Sequence, residues 1–351
     1  MSVEMELQEV LLQELQDETK HPYSSLLKCA ILTSIFGSKT AADFMKNANL
    51  WGGYFEYYTS ECETAMSVGR LHWVVKTHQD IVRIVELLRD PSNSRESIKD
   101  KEKVRIVTTQ PQVSDEVIYN AIDLAARLGF MTLIGSSEQV FRGGERCVTW
   151  DDGQLDTVLA TEFSRTGVLE KEHVKLEKMF NARSLDRIGG LQIIWTSNLA
   201  NHLRVQNDDK EVSIFHYASF LTSQKQSAVF PPGFIEETIR TLELLFPQFD
   251  DASNDWFRKK ARKESLDANV IKCGQLAAEG RQIENFHFWR DRLIILKQVF
   301  DETEPRGLKR WWRDRRKPVQ WYNFLAGCSI DCWDDLLLWG DPICGRCYAG
   351  L

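Results

Sequence analysis

The sequence predicts an α+β fold that is predominantly helical, with small sheets packed by amphipathic helices. Apolar residues recur at intervals of three and four through several long segments, the period of a helix with one buried face. The β-branched and aromatic runs, by contrast, are four or five residues long and bounded by turn residues, which suits short strands. No stretch approaches the roughly 18 to 20 apolar residues that a spanning helix needs, so no transmembrane helix is expected in this form of the chain. With 351 residues there is room for roughly two domains, and 43% apolar with 27% charged residues excludes collagenous, low-complexity and disordered classes. The net charge of −7 means that contact with nucleic acid or an acidic membrane must come from a local patch.

The first region, 1–92, is expected to be helical. Met5 to Gln16 repeats apolar residues at helical spacing, and Ser24 caps a more apolar helix running to Phe36. Thr77 to Asp90 places Ile81, Ile84, Val85 and Leu88 on one face. Asp90 to Lys103 is polar, charged and free of aromatics, and 93–103 is expected to be a linker. An α+β domain should then occupy 104–304. It opens with a β-branched run, Val104 to Thr108, and a helix capped at Ser114, with Asp115 and Glu116 in its first turn, that Gly129 ends.

Thr132 to Ile134 and Val148 to Trp150 suit strands, and the Asp151-Asp152-Gly153 turn opens a helix through Leu155 and Leu159. A helix followed by paired strands suggests a winged-helix DNA reader, yet the helix carries Arg127 against Asp115, Glu116 and Asp123, the wrong charge for phosphates. Leu191 to Trp195 and Val212 to Phe215 are further strands. Between them, Ser197 is expected to cap a helix over 198–205, and Asn207 to Lys210 supply a turn. Pro231-Pro232-Gly233 breaks the chain before a helix presenting Ile235, Ile239, Leu242 and Phe246, stopped by Pro247. A last amphipathic helix covers Phe286 to Glu302.

Several strings in the second half, IIWTSNLANHLRV, VSIFHYASFL, FPPGFIEETIRTLELLFPQFD, FHFWRDRLIILKQVFDE and LKRWWRDRRKPVQWYNF, resemble a family of uncharacterised proteins of filamentous fungi. The resemblance covers roughly 150–324. It implies no activity, but it does imply a membrane-anchored ancestor, because members of that family continue past the WWxDRRxxVQWYxF string into an apolar transmembrane helix. This chain departs there: after Phe324 it continues LAGCSIDCWDDLLLWGDPICGRCYAGL.

The residues before the departure point to a membrane surface on their own chemistry. Within 305–324, a juxtamembrane-like segment, Trp311, Trp312, Trp321 and Tyr322 are rings of the kind that settle at headgroup depth. Arg306, Lys309, Arg310, Arg313, Arg315, Arg316 and Lys317 surround them, with Asp314 opposing. This collar is expected to touch an anionic membrane surface or an acidic partner. The competing expectation is a solvated basic helix whose tryptophans pack on the preceding domain.

The tail 325–351 is expected to be disordered or the product of a shifted reading frame. Codons that encode Cys328 to Leu351 can be chosen so that reading one base later gives ALLIAGMTSFFGVIQSVEGVMQV, an apolar segment of membrane-helix composition. Cys328, Cys332, Cys344 and Cys347 form two close pairs that could hold a zinc ion, but a shifted frame would make that spacing accidental, so the expectation is no cofactor. Cys29, Cys62, Cys147 and Cys273 suit the reduced thiols of a cytosolic protein.

Catalytic devices are sparse. The chain has no nucleophile elbow, P-loop or dinucleotide fingerprint, and its histidines form no close metal pair. His202 and His216 flank a turn and could meet in space, where an apolar pocket with a carboxylate would make them interesting. Asp151-Asp152, Asp208-Asp209 and Asp250-Asp251 lie in turn-like contexts. A second basic run, Arg258-Lys259-Lys260-Ala261-Arg262-Lys263, follows Trp256 and Phe257 and could serve RNA. The expectation from these observations is a non-enzymatic accessory or interaction protein, cytoplasmic and at the cytosolic face of a membrane, with an unknown protein partner. The alternatives are a nucleic-acid binder using 258–263 and 306–317, and an enzyme whose site is dispersed in sequence.

Overall fold

Helices α1 (Val3–Leu11), α2 (Ser25–Phe36), α3 (Ser38–Lys46) and α4 (Gly52–Ser67) open the chain, followed by α5 (His78–Arg89) and α6 (Arg95–Ile106). The computed structural model describes residues 3–15, 23–67, 71, 74–107, 112–136, 144–164 and 174–303. The start of α2 is fixed as expected, by the Ser24 hydroxyl oxygen accepting from the Leu27 N–H at 3.1 Å. At α5 the Asp80 carboxylate accepts from the Lys76 and Thr77 N–H groups at 2.9 and 3.0 Å, and Ile81, Ile84, Val85 and Leu88 are buried as their spacing requires.

The expected linker at 93–103 is corrected by α6, which is helical from Arg95, and the expected strand at Val104 is the last turn of that helix. Composition misleads here because α6 buries charge rather than apolar surface. Arg95, Lys99 and Glu102 are all buried, each paired with a group from elsewhere in the fold. Glu102 accepts from Arg83 of α5 at 2.8 Å and from Arg105. Residues before and after this helix share one hydrophobic core: Phe36 meets Phe220 edge-on at 5.7 Å, and the Tyr217 hydroxyl donates to the Gly53 carbonyl.

Helix α7 (Asp115–Phe130) runs through the middle of that core. Gly129 does not end it; the helix continues to Phe130, and Met131 takes the left-handed terminating conformation (φ 45°). A Cβ at Gly129 would stand 3.1 Å from Val85, so glycine there serves the close approach of α5 and α7. Strands β1 (Ile134–Gly135) and β2 (Val148–Thr149) pair in parallel, and α8 (Leu155–Glu162) follows the Asp-Asp-Gly turn.

The second sheet has the order β3 (Gln192–Thr196), β5 (Glu211–Phe215), β4 (Val205–Gln206). β3 and β5 are parallel, in the register Ile193 to Val212 and Trp195 to Ile214, while β4 and β5 form a hairpin across Asn207 to Lys210. Asn207, Asp208 and Asp209 take positive φ there, which short polar side chains tolerate best. The helix expected over 198–205 is corrected to a single turn, Leu199–Asn201, followed by β4; Asn198, not Ser197, caps it by accepting from the Ala200 N–H. Helices α9 (Ala218–Ser223), α10 (Phe234–Leu245), α11 (Asp251–Ala261) and α12 (Arg290–Glu302) complete the described fold. No helix among the described residues is long and apolar enough to cross a membrane.

Candidate functional site

The cationic end of α11 is the expected contact site that falls within the described residues. Asp250 starts the helix, its carboxylate accepting from the Ala252 N–H at 3.2 Å, and Arg258, Lys259 and Lys260 occupy the last turn, where positive charge complements the exposed carbonyls. The helix buries Trp256 and Phe257 and turns Arg258 and Lys259 to solvent, and Arg262 and Lys263 just past its end are exposed as well. Both rings are thus spent on the core and present no face to a base, which removes the stacking half of the RNA expectation at this run.

Trp256 fixes the position of this end. Its Nε1–H donates to Asp186 Oδ2 at 2.8 Å, and Lys260 Nζ lies 5.7 Å from its ring centroid. Asp186 belongs to a π-helical turn, Leu185–Gly189, whose Arg187 guanidinium lies 3.5 Å from the same carboxylate oxygen. Gly189 of that turn sits under Phe300 of α12; a Cβ there would come within 2.9 Å of the ring. One turn therefore holds the basic end of α11 on one side and the end of α12 on the other.

The membrane-contact residues Arg310, Trp311, Trp312, Arg313, Arg315, Arg316, Lys317, Trp321 and Tyr322 lie outside the described residues, as do the tail cysteines Cys328, Cys332, Cys344 and Cys347. Among the described residues, no three His, Cys, Asp or Glu side chains gather as a metal site.

The histidines that sequence spacing singled out are each engaged by hydrogen bonds of their own. His202 Nδ1 accepts from the Phe215 N–H at 3.1 Å, so its proton resides on Nε2 and is donated to Thr241 Oγ1 at 2.6 Å. Thr241 in turn donates to the Thr238 carbonyl, and Trp289 packs edge-on to the imidazole at 4.8 Å. Burial, and the Arg292 guanidinium bound to the His202 carbonyl, push this histidine down to about 3. His216, pushed by burial to about 3, accepts at Nδ1 from the Asp267 N–H at 3.2 Å. The Asp267 carboxylate is buried and raised to about 6 by desolvation, but it is occupied by Ser219 and by the Asn269 N–H. This arrangement keeps imidazoles neutral as junctions between strand β5 and the helices around it.

One histidine that sequence reasoning passed over is also buried. His78 Nδ1 lies 3.0 Å from the Tyr58 hydroxyl, and burial pushes the ring down to about 4. Its place at the start of α5, where a solvated polar residue is common, gave no signal of burial. The carboxylate pairs hold to their turn-like contexts: Asp152 accepts from the Gly153 N–H, and Asp250 caps α11. Comparison of the chain with protein-family models, with curated proteins and with solved structures finds no match.

Proposed function

We propose that this chain is a non-enzymatic accessory or interaction protein that works at the cytosolic face of an anionic membrane, held there reversibly by the cationic, aromatic collar 306–322. The observation that carries the reading is charge segregation. The segment 305–324 holds seven basic residues against one acidic residue, an excess of six, in a chain whose net charge is −7. The remaining residues therefore sum to −13, so attraction to an acidic surface comes from local patches, of which this segment carries the largest basic excess.

The magnitude suits a peripheral contact. At about 1 kcal/mol per basic residue near an anionic leaflet, six net charges supply at most about 6 kcal/mol, a dissociation constant in the range of tens of micromolar. Trp311, Trp312, Trp321 and Tyr322 would add interfacial burial of their rings. The likeness of 150–324 to a membrane-anchored fungal family agrees with this role, with the polar tail standing where that family has its hydrocarbon span.

Nucleic acid is the rival for the same charges. Flotation of the full chain with vesicles containing phosphatidylserine, set beside a mobility shift with labelled single-stranded RNA, separates the two when both are repeated at raised salt. Co-flotation with anionic but not neutral vesicles, weakened by salt, is expected. Binding to RNA without binding to vesicles, or binding to neither, overturns the reading.

A further inference from the structure

We propose that the cationic end of α11, together with Arg187, is a second contact for the same anionic bilayer, held in place on the core by the turn Leu185–Gly189. The inference rests on the membrane reading of the collar and extends it to residues that no sequence motif connects.

Three packed contacts carry it. Trp256 donates to Asp186 at 2.8 Å, which places the start of the basic run against one side of the turn. Arg187 approaches that same Asp186 oxygen at 3.5 Å, and the Lys260 ammonium lies 5.7 Å from the Trp256 ring centroid. Gly189, three residues on from Asp186, is in contact with Phe300, and α12 ends two residues later at Glu302, the point to which the collar is covalently tethered. The ends of α11 and α12, some forty residues apart in sequence, thereby pack against one turn.

The charge on this face is available. The Arg187 and Arg258 side chains are 51% and 58% exposed, and Lys259, Arg262 and Lys263 are exposed beside them. Opposing them are Asp186, already engaged by Trp256, the exposed Glu264 next to Lys263, and Asp255, whose solvated pair with Arg258 at 3.1 Å is weak enough to be exchanged for lipid phosphate. The acidic residues Asp251 and Asp255 occupy the first turns of α11, so the helix would meet a bilayer with its carboxyl-terminal end. A bilayer is favoured over RNA because Trp256 and Phe257 are buried, leaving the exposed cations without a stacking platform.

The test is the full chain carrying Arg258→Gln, Lys259→Gln, Arg262→Gln and Lys263→Gln, with Lys260 left in place over the indole. Partition onto vesicles of phosphatidylcholine with 30% phosphatidylserine should fall at least tenfold from the unaltered chain, at an unchanged thermal midpoint. If the unaltered chain binds and the variant binds equally well, the second contact is wrong while the collar reading stands. If the unaltered chain does not bind these vesicles, the collar reading itself has failed. A larger loss of RNA binding than of vesicle binding in the variant overturns the choice of lipid as the occupant.

Discussion

Arg95 and Asp123 form a two-pronged ion pair, at 2.6 and 3.1 Å, with the two residues only 3% and 1% exposed. The guanidinium lies between the rings of Tyr119 and Trp150, 4.9 and 4.8 Å from their centroids. The pair fastens α6, the segment composition would discard as a linker, to the central helix α7. Removing one partner leaves a charge buried among aromatic rings, so Asp123→Ala should cost about 3 to 5 kcal/mol. Replacing both partners by apolar residues, Arg95→Met with Asp123→Leu, should cost less than that single change. Urea denaturation checks both, and a single variant within about 1 kcal/mol of the parent would show that the pair does not secure α6.

This relationship also marks where sequence stops informing on structure. Helices α2, α5 and α10 are legible because their apolar residues fall on one face and their ends carry breakers or caps, such as Ser24 and Pro247. Helix α6 is not, because Ile98 and Ile106 are its buried aliphatic residues and the rest of its buried face is charge satisfied by α5 and α7. The segment 198–205 has helical spacing, yet hydrogen bonds from the β5 backbone and from Arg292 draw it into a turn and strand β4, a tertiary preference no local pattern displays. For the candidate site, the charge of 258–263 was visible, but the burial of Trp256 and its bond to Asp186 were not. The neutral role of His202 required knowing which groups surround it.

Stability should fall steeply with acid. His78, His202 and His216 are pushed down to about 4, 3 and 3, below the ordinary histidine value, so the folded chain excludes protons that the unfolded chain accepts. Their contribution is present above about pH 6.5 and is lost as pH falls toward 4. Asp267, raised to about 6, acts in the opposite sense because the folded form retains its proton longer. The balance is about two protons, or roughly 3 kcal/mol per pH unit between pH 6 and 4. Urea midpoints measured across that window should show the decline, and His202→Gln should make it shallower. A flat profile contradicts neutral burial of these rings.

Glu237 anchors the entry to α12, its carboxylate accepting from the His287, Phe288 and Trp289 N–H groups at 2.8 Å each. A charged acceptor for three backbone donors is among the stronger hydrogen-bonding arrangements. Glu237→Gln should therefore cost about 1.5 to 3 kcal/mol, read as a lowered urea midpoint with an unchanged slope. Loss of under half a kcal/mol would mean that water replaces the carboxylate without penalty.

Gly189 should not accept a side chain. A Cβ at 2.9 Å from the Phe300 ring forces either α12 or the Leu185–Gly189 turn to shift, and Gly189→Ala should destabilise by about 1 to 3 kcal/mol. Phe300→Leu in the same chain should restore part of the loss. Additive losses in the double variant would show that the strain lies elsewhere.

The collar at a membrane surface is tested most directly by tryptophan quenching with lipids brominated along their chains. Of the five described tryptophans, Trp51, Trp150, Trp256 and Trp289 are buried in the core and Trp195 is half-buried against it. Quenching is expected when the chain meets anionic vesicles, and it should be largely lost on changing Trp311, Trp312 and Trp321 to Phe. No quenching by anionic vesicles, or quenching that persists undiminished in the triple variant, would contradict the account.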